Sequence, residues 1–131
     1  MIILVAVGLL VLTVVLRLSP LLPGPATPPG ATRLQISTAA PHVWPTTACP
    51  LALLLPVRVA SDDGTLVVVS AETGDPIDVV WPAGWAAWRI DGVAELHARD
   101  GSLVAREGDV LDDLGGGSGD DGAFHVCIVG S

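Results

Sequence analysis

Lysine, asparagine and tyrosine are missing from this chain, and phenylalanine occurs once. Basic charge is confined to 6 arginines against 14 acids, for a formal net charge of −8. Every acid lies at Asp62 or later. From residue 49 onward, fourteen acids face only Arg58, Arg89, Arg99 and Arg106, which leaves ten negative charges in excess. Such a surface repels nucleic acid and anionic lipid headgroups, since both are bound through positive charge. Nucleic acid is therefore not an expected partner. The missing residue types, set against abundant Ala, Gly, Pro, Val, Asp and Arg, reflect a GC-rich genome and say nothing of mechanism. No stretch past residue 48 holds a helical period for three turns, so no phosphate-binding glycine loop leads into a helix. No serine or histidine stands in a nucleophile elbow or a triad context. The carboxylates cluster at turns, where aspartate is favoured for backbone reasons. The reading is of a protein that is not an enzyme, with no catalytic residues and no cofactor.

Charge is also absent from the first sixteen residues, MIILVAVGLLVLTVVL. A helix rises about 1.5 Å per residue, so crossing a hydrocarbon core of roughly 30 Å takes about 20 residues. With Arg17, whose stem can reach the headgroups, and the stretch to Leu22, the run approaches that length. Pro20 and Pro23 stand where such a helix should end. Residues 1–22 thus read as a single transmembrane anchor. The alternative is a cleaved signal peptide. Against it, no Lys or Arg precedes the run, and no small-x-small site follows closely. Cys49 lies about thirty residues past the run, too far for a lipid-attachment box.

Two features disagree on orientation. Arg17 and Arg33 flank the C-terminal side of the run, which by the positive-inside rule favours an inward domain. The two cysteines, Cys49 and Cys127, bracket the folded part of the chain and read as one disulfide, which requires an oxidising compartment. In the chain-entropy model, a bridge closing nearly 80 residues is worth about 4 kcal/mol. On the cysteines and the signal-like N-terminus, the domain is expected to be extracytoplasmic, tethered to the cell membrane by a single pass.

Residues 23–48 are rich in Pro, Ala and Thr and read as an extended, semi-rigid linker, with a short strand possible at Leu34–Ser37. Residues 49–131 read as a β domain. Asp-Gly pairs at 63–64, 91–92, 100–101 and 121–122 signal tight turns. Strands are expected at Leu51–Ala60, Thr65–Ser70, Ile77–Trp81, Trp85–Ile90, Val93–Arg99, Ser102–Arg106 and Phe124–Val129. A two-residue turn at Asp100-Gly101 would set Leu96, Ala98, Leu103 and Ala105 on one apolar face. It would pair Glu95 with Arg106 on the other. The same turn at Asp91-Gly92 would put Arg89 opposite Ala94 on the apolar face, so a bulge or longer loop is expected there. Gly115–Gly122 (GGGSGDDG) reads as a flexible acidic loop. The fold expected is mainly β: one transmembrane helix, then a small antiparallel β-barrel or sandwich.

The segments VVWPAGWAAWRIDG, VAREGDVL, LGGG and FHVCIVG carry a Trp-Pro-x-Gly turn, a Gly-Asp-x-Val element and a Gly-rich stretch before a final cysteine strand. In these the chain resembles small membrane-anchored envelope proteins of high-GC Gram-positive bacteria, over roughly residues 49–131. The motifs are turn and strand motifs, and the resemblance transfers no activity.

Trp81, Trp85 and Trp88 fall within eight residues. They could fill the core of a domain poor in other aromatics, or form a platform for sugar rings or a partner's apolar side chains. Trp85 and Trp88, three apart in an extended chain, point to opposite faces. His125 and Cys127 share a strand face and with Cys49 could hold a soft metal, but a fourth ligand from His42 or His97 has no spacing support. No metal is expected. One copy of the calcium-binding GGxGxD pattern, Gly116–Asp121, is too little for a site built from stacked repeats. The function expected is that of an interaction or accessory module of the cell envelope. Its partners would be the lipid bilayer through residues 1–22 and an envelope protein or glycan. The alternatives are a wall-glycan or small-ligand binding module using Trp81, Trp85 and Trp88, and an enzyme of unrecognised type.

Overall fold

A computed structural model describes residues 24–40, 52–53 and 56–129. The expected anchor, Trp44 and Cys49 lie outside these residues. Among the described residues no helix is long and apolar enough to cross a membrane.

Twelve strands are described: β1 (Thr32–Leu34), β2 (Ala52–Leu53), β3 (Val57–Asp62), β4 (Thr65–Ser70), β5 (Pro76–Ile77), β6 (Val79–Val80), β7 (Ala86–Ile90), β8 (Val93–His97), β9 (Leu103–Arg106), β10 (Val110–Leu111), β11 (Leu114–Ser118) and β12 (Phe124–Val129). They form three four-stranded sheets, in the orders β1-β7-β8-β9, β10-β3-β4-β5 and β2-β11-β12-β6. The mainly β class stands as expected, but the sheets do not close into a barrel. Each sheet ends instead on edge strands of two to four residues, which leave little free edge for another chain to pair with. Nor is the pairing wholly antiparallel, because β6 runs parallel to β12. Of the expected Leu51–Ala60 strand, β2 and β3 are described, and Pro56, which cannot donate to a ladder, stands just before β3.

The core is built by period-2 alternation. Leu34, Ala87, Leu96 and Ala105 are register partners across the first sheet and are all buried. Val59, Val68 and Ile77 make the corresponding row in the second. Leu114, Phe124 and Val126 bring in the third. Ser61, Arg89 and Glu107 join the first two sheets at their flank: Arg89 donates to the Ser61 hydroxyl at 2.9 Å, and Ser61 donates to Glu107. The Ser61 hydrogen bond is the main cause holding the Glu107 carboxyl below its ordinary range, against the opposing effect of burial.

The Asp-Gly turns divide into two kinds. At Asp63-Gly64 and Asp91-Gly92 both central residues have positive φ, 44° and 89° in one, 51° and 78° in the other, as a type I′ turn requires. At Asp100-Gly101 the loop has three residues: Ala98 N–H bonds to Ser102 and Gly101 N–H to Ala98. Asp121-Gly122 repeats that pattern between Gly119 and Ala123. The expectation for two hairpins is thereby reversed. Arg89 does face Ala94 across a tight turn, with no bulge. The irregularity falls in the other hairpin, where His97 pairs with Leu103 and Leu96 with Ala105. The three-residue loop shifts the pairing by one residue, and Val104 absorbs the shift. Leu103, expected on the apolar face, is accordingly exposed.

Gly115–Ser118 differ most from expectation. They are not a loop but most of β11, a central strand between β2 and β12. A side chain on Gly116 would run into the carbonyl oxygen of His125. The glycine is what lets the two backbones close up there. The register of β12 slips beside it, leaving Cys127 opposite no residue of β11.

The expected linker also differs in its first part. Leu34 is buried in the core, and β1 completes the first sheet along β7. Beyond it, Gln35 bridges to Thr65 and Thr38 to Trp81, so this stretch ties the first sheet to both others.

Candidate functional site

The sequence Trp81-Pro82-Ala83-Gly84-Trp85 makes a sharp reversal. Trp85 N–H bonds back to the Pro82 carbonyl, and Gly84 takes φ +82°, the third-residue geometry of a type II turn. The reversal lays the two indoles against each other, centroids 5.7 Å apart and planes 13° from parallel. Trp81 is buried, whereas Trp85 is half-buried. Behind Trp81, its backbone is pinned to the Ser37–Ala39 stretch by Trp81 N–H to Ser37 and Ala39 N–H to Trp81, both 2.8 Å.

In front of the pair opens a cleft of about 560 Å3, within the size range of small-ligand sites. Its floor is apolar, from Leu34, Leu66 and Val68, and Ile77 and Val79 continue one wall. Polar groups gather around it: Gln35, Ser37, Thr38, Thr65 and Asp78. The cleft arises because the chain from Gln35 pairs with Thr65 for one bridge and then swings away to Trp81, parting from β4 instead of extending the sheet.

Trp88, the third tryptophan expected at the site, is elsewhere. It is on the opposite face of the first sheet, buried, and stacked on His97 with centroids 4.0 Å apart. That face carries a cross-strand row of Arg33, Trp88, Glu95 and Arg106. The expected Glu95–Arg106 pair is present, Arg106 Nε donating to Glu95 at 2.9 Å. His97 Nε2 lies 3.0 Å from the other Glu95 oxygen, and His97 Nδ1 donates to the Gly101 carbonyl at 3.0 Å. The His97 hydrogen bond is the first cause holding the Glu95 carboxyl below its usual range. Arg106 adds its bond and charge, while burial opposes.

His125 Nε2 lies 3.1 Å from the Asp121 carboxylate in the last turn, and this contact leads in keeping the Asp121 carboxyl low. A Cβ on Gly119 would strike the His125 ring, so that glycine makes room for the pair. Cys127 is engaged in a disulfide; Cys49, its expected partner, lies outside the described residues. The neighbouring β2, which begins at Ala52, shares a sheet with β12. Among the described residues no group of three or more His, Cys, Asp or Glu side chains could hold a metal ion.

Comparison with known protein families, with curated proteins and with solved structures returns no match. The chemistry of the cleft is therefore the ground for a functional reading. The sequence signal for this part of the cleft is the alternation Leu34-Gln35-Ile36-Ser37, in which Leu34 is buried and Ile36 half-buried while Gln35 and Ser37 are exposed.

Proposed function

We propose that this protein is a membrane-anchored, extracytoplasmic binding module of the cell envelope, tethered through residues 1–22, which holds its partner in the cleft before Trp85. The observation that carries the reading is the stacked pair at the cleft. Trp85 is backed by a buried indole, so its ring is held in place before any partner arrives, and a preorganised aromatic contact loses little entropy on binding. The domain's excess of acid argues against a nucleic acid or an anionic membrane as the partner in the cleft.

The polar groups around an aromatic wall favour glycan as the occupant over a purely apolar segment, since sugars offer a flat C–H face to an indole and hydroxyls to amide, hydroxyl and carboxylate side chains. The test is Trp85→Ala, compared with the parent for unfolding by urea and for retention on purified cell-wall glycan. Because Trp85 is half-buried, the variant is expected to stay folded. Retention by the parent and loss of at least tenfold in the variant supports glycan binding. If the parent ignores glycan but a photo-crosslinker at position 85 captures an envelope protein in cells, the module reading stands with a protein partner. If neither occurs, the cleft is not the contact.

A further inference from the structure

The first described residues are packed, and packed at one end of the domain. A Cβ built on Gly24 would lie 2.5 Å from the Gly84 carbonyl oxygen, so the Gly24 backbone runs directly against the Gly84 turn. Pro25 lies beside Gly101. The chain then turns at Pro28–Ala31, closed by Ala31 N–H to the Pro28 carbonyl at 3.1 Å, and returns as β1. The Arg33 guanidinium donates to Thr27 at 3.3 Å across this return. Arg33 is the register partner of Trp88 on the outer face of the first sheet, where Trp88 and His97 stack on each other and are buried.

The segment read as the anchor, residues 1–22, ends two peptide units before Gly24. Two units span at most about 7 Å, and the interfacial layer on each side of a bilayer is itself roughly 5–7 Å deep. A domain gripped at Gly24 therefore has no free chain on which to stand away from the membrane.

We infer that the end of the domain formed by the Gly84 turn and the Arg99–Gly101 loop is seated on the lipid headgroups, with the segment from Gly24 to Ala31 serving as a strap and not as a spacer. This rests on the reading of residues 1–22 as the anchor. The Arg99 side chain packs against Gly84 at this end. Leu103, an exposed large apolar residue, adjoins the same loop. The contact is imposed by the tether, because the domain's net negative charge gives it no attraction to anionic lipid. The cleft would then face a partner within reach of the bilayer surface.

The opposite end of the first sheet supplies the control. Asp91, Gly92 and Gly108 are separated from Gly101 by the length of β8, more than about 15 Å at roughly 3.4 Å per residue. The full chain would be reconstituted into phosphatidylcholine nanodiscs carrying a nitroxide on a fraction of the headgroups, and backbone amide intensities read by NMR. Amides of Gly84, Arg99, Asp100 and Gly101 are expected to lose most of their intensity, and those of Asp91, Gly92 and Gly108 to keep theirs. About twenty Gly/Ser residues inserted between Pro23 and Gly24 reach roughly 25 Å on average and should restore the bleached signals while the chain stays on the disc. A chain that fails to co-elute with the discs overturns the anchor and the seat together. A chain that co-elutes with equal bleaching at both ends, or none, overturns the seat alone. Bleaching that survives the insertion shows intrinsic lipid affinity and overturns the tether as its cause.

Discussion

Glu95 shows how one side chain can be readable in sequence and still be misjudged. Its pairing with Arg106 follows from strand alternation, and the pair forms. His97, its second partner, lies two residues on in β8 and so shares the Glu95 face, where its ring is fixed by the bond from Nδ1 to the Gly101 carbonyl and by stacking on Trp88. Glu95→Gln removes the charge from a bonded, mostly buried carboxylate and is expected to cost about 1–3 kcal/mol at neutral pH. The cost should depend on pH with a defined sign. The folded protein binds the Glu95 proton more weakly than the unfolded chain does. The stabilisation is therefore full above the ordinary carboxylate range and is lost as pH falls through the folded-state value. Urea unfolding of parent and variant should differ at about pH 7 and converge as the pH falls below the ordinary carboxylate range. A gap that widened in acid would contradict this. Trp88→Ala, which empties a buried site against His97, should cost about 3–5 kcal/mol, far more than Trp85→Ala, as thermal unfolding would show.

At the scale of the element, the turns and the interior strands were legible because they answer to local chemistry. Asp-Gly accepts positive φ, and alternating Val and Leu ask for one buried face. Loop length was not legible, since two-residue and three-residue turns both take Asp-Gly. Thus the bulge falls in the Asp100-Gly101 hairpin and not at Asp91-Gly92. β11 was illegible for a different reason. A run of three glycines has no alternation to read and poor strand propensity, and what makes it a strand is the approach of β12. Gly116→Ala tests this directly. A Cβ there meets backbone, which cannot swing aside, so a loss of about 1–3 kcal/mol is expected, with faster amide exchange across β11 and β12. A neutral substitution would mean that the two strands are not closely paired.

For the whole molecule, sequence composition set the class, and tertiary pairing set the architecture. The Pro-rich segment reads as a spacer because proline and threonine carry no period, yet part of it forms β1 and closes the first sheet. The cleft was beyond the sequence for the same reason, as it exists only where residues 35–38 part from β4. Reduction of the Cys127 disulfide should lower stability by about 2–5 kcal/mol, read as a shift in the urea midpoint with and without reductant. The proposed envelope function depends on which side of the membrane the domain occupies. The most direct test treats intact native cells with a membrane-impermeant thiol reagent, before and after reduction, and reads the mass of the protein. Labelling of Cys49 and Cys127 only after reduction places a disulfide-bonded domain outside the cell, as the account predicts. Thiols that are free and become labelled only on lysis would place it inside, contradict the envelope function, and make Arg17 and Arg33 the better guides to orientation.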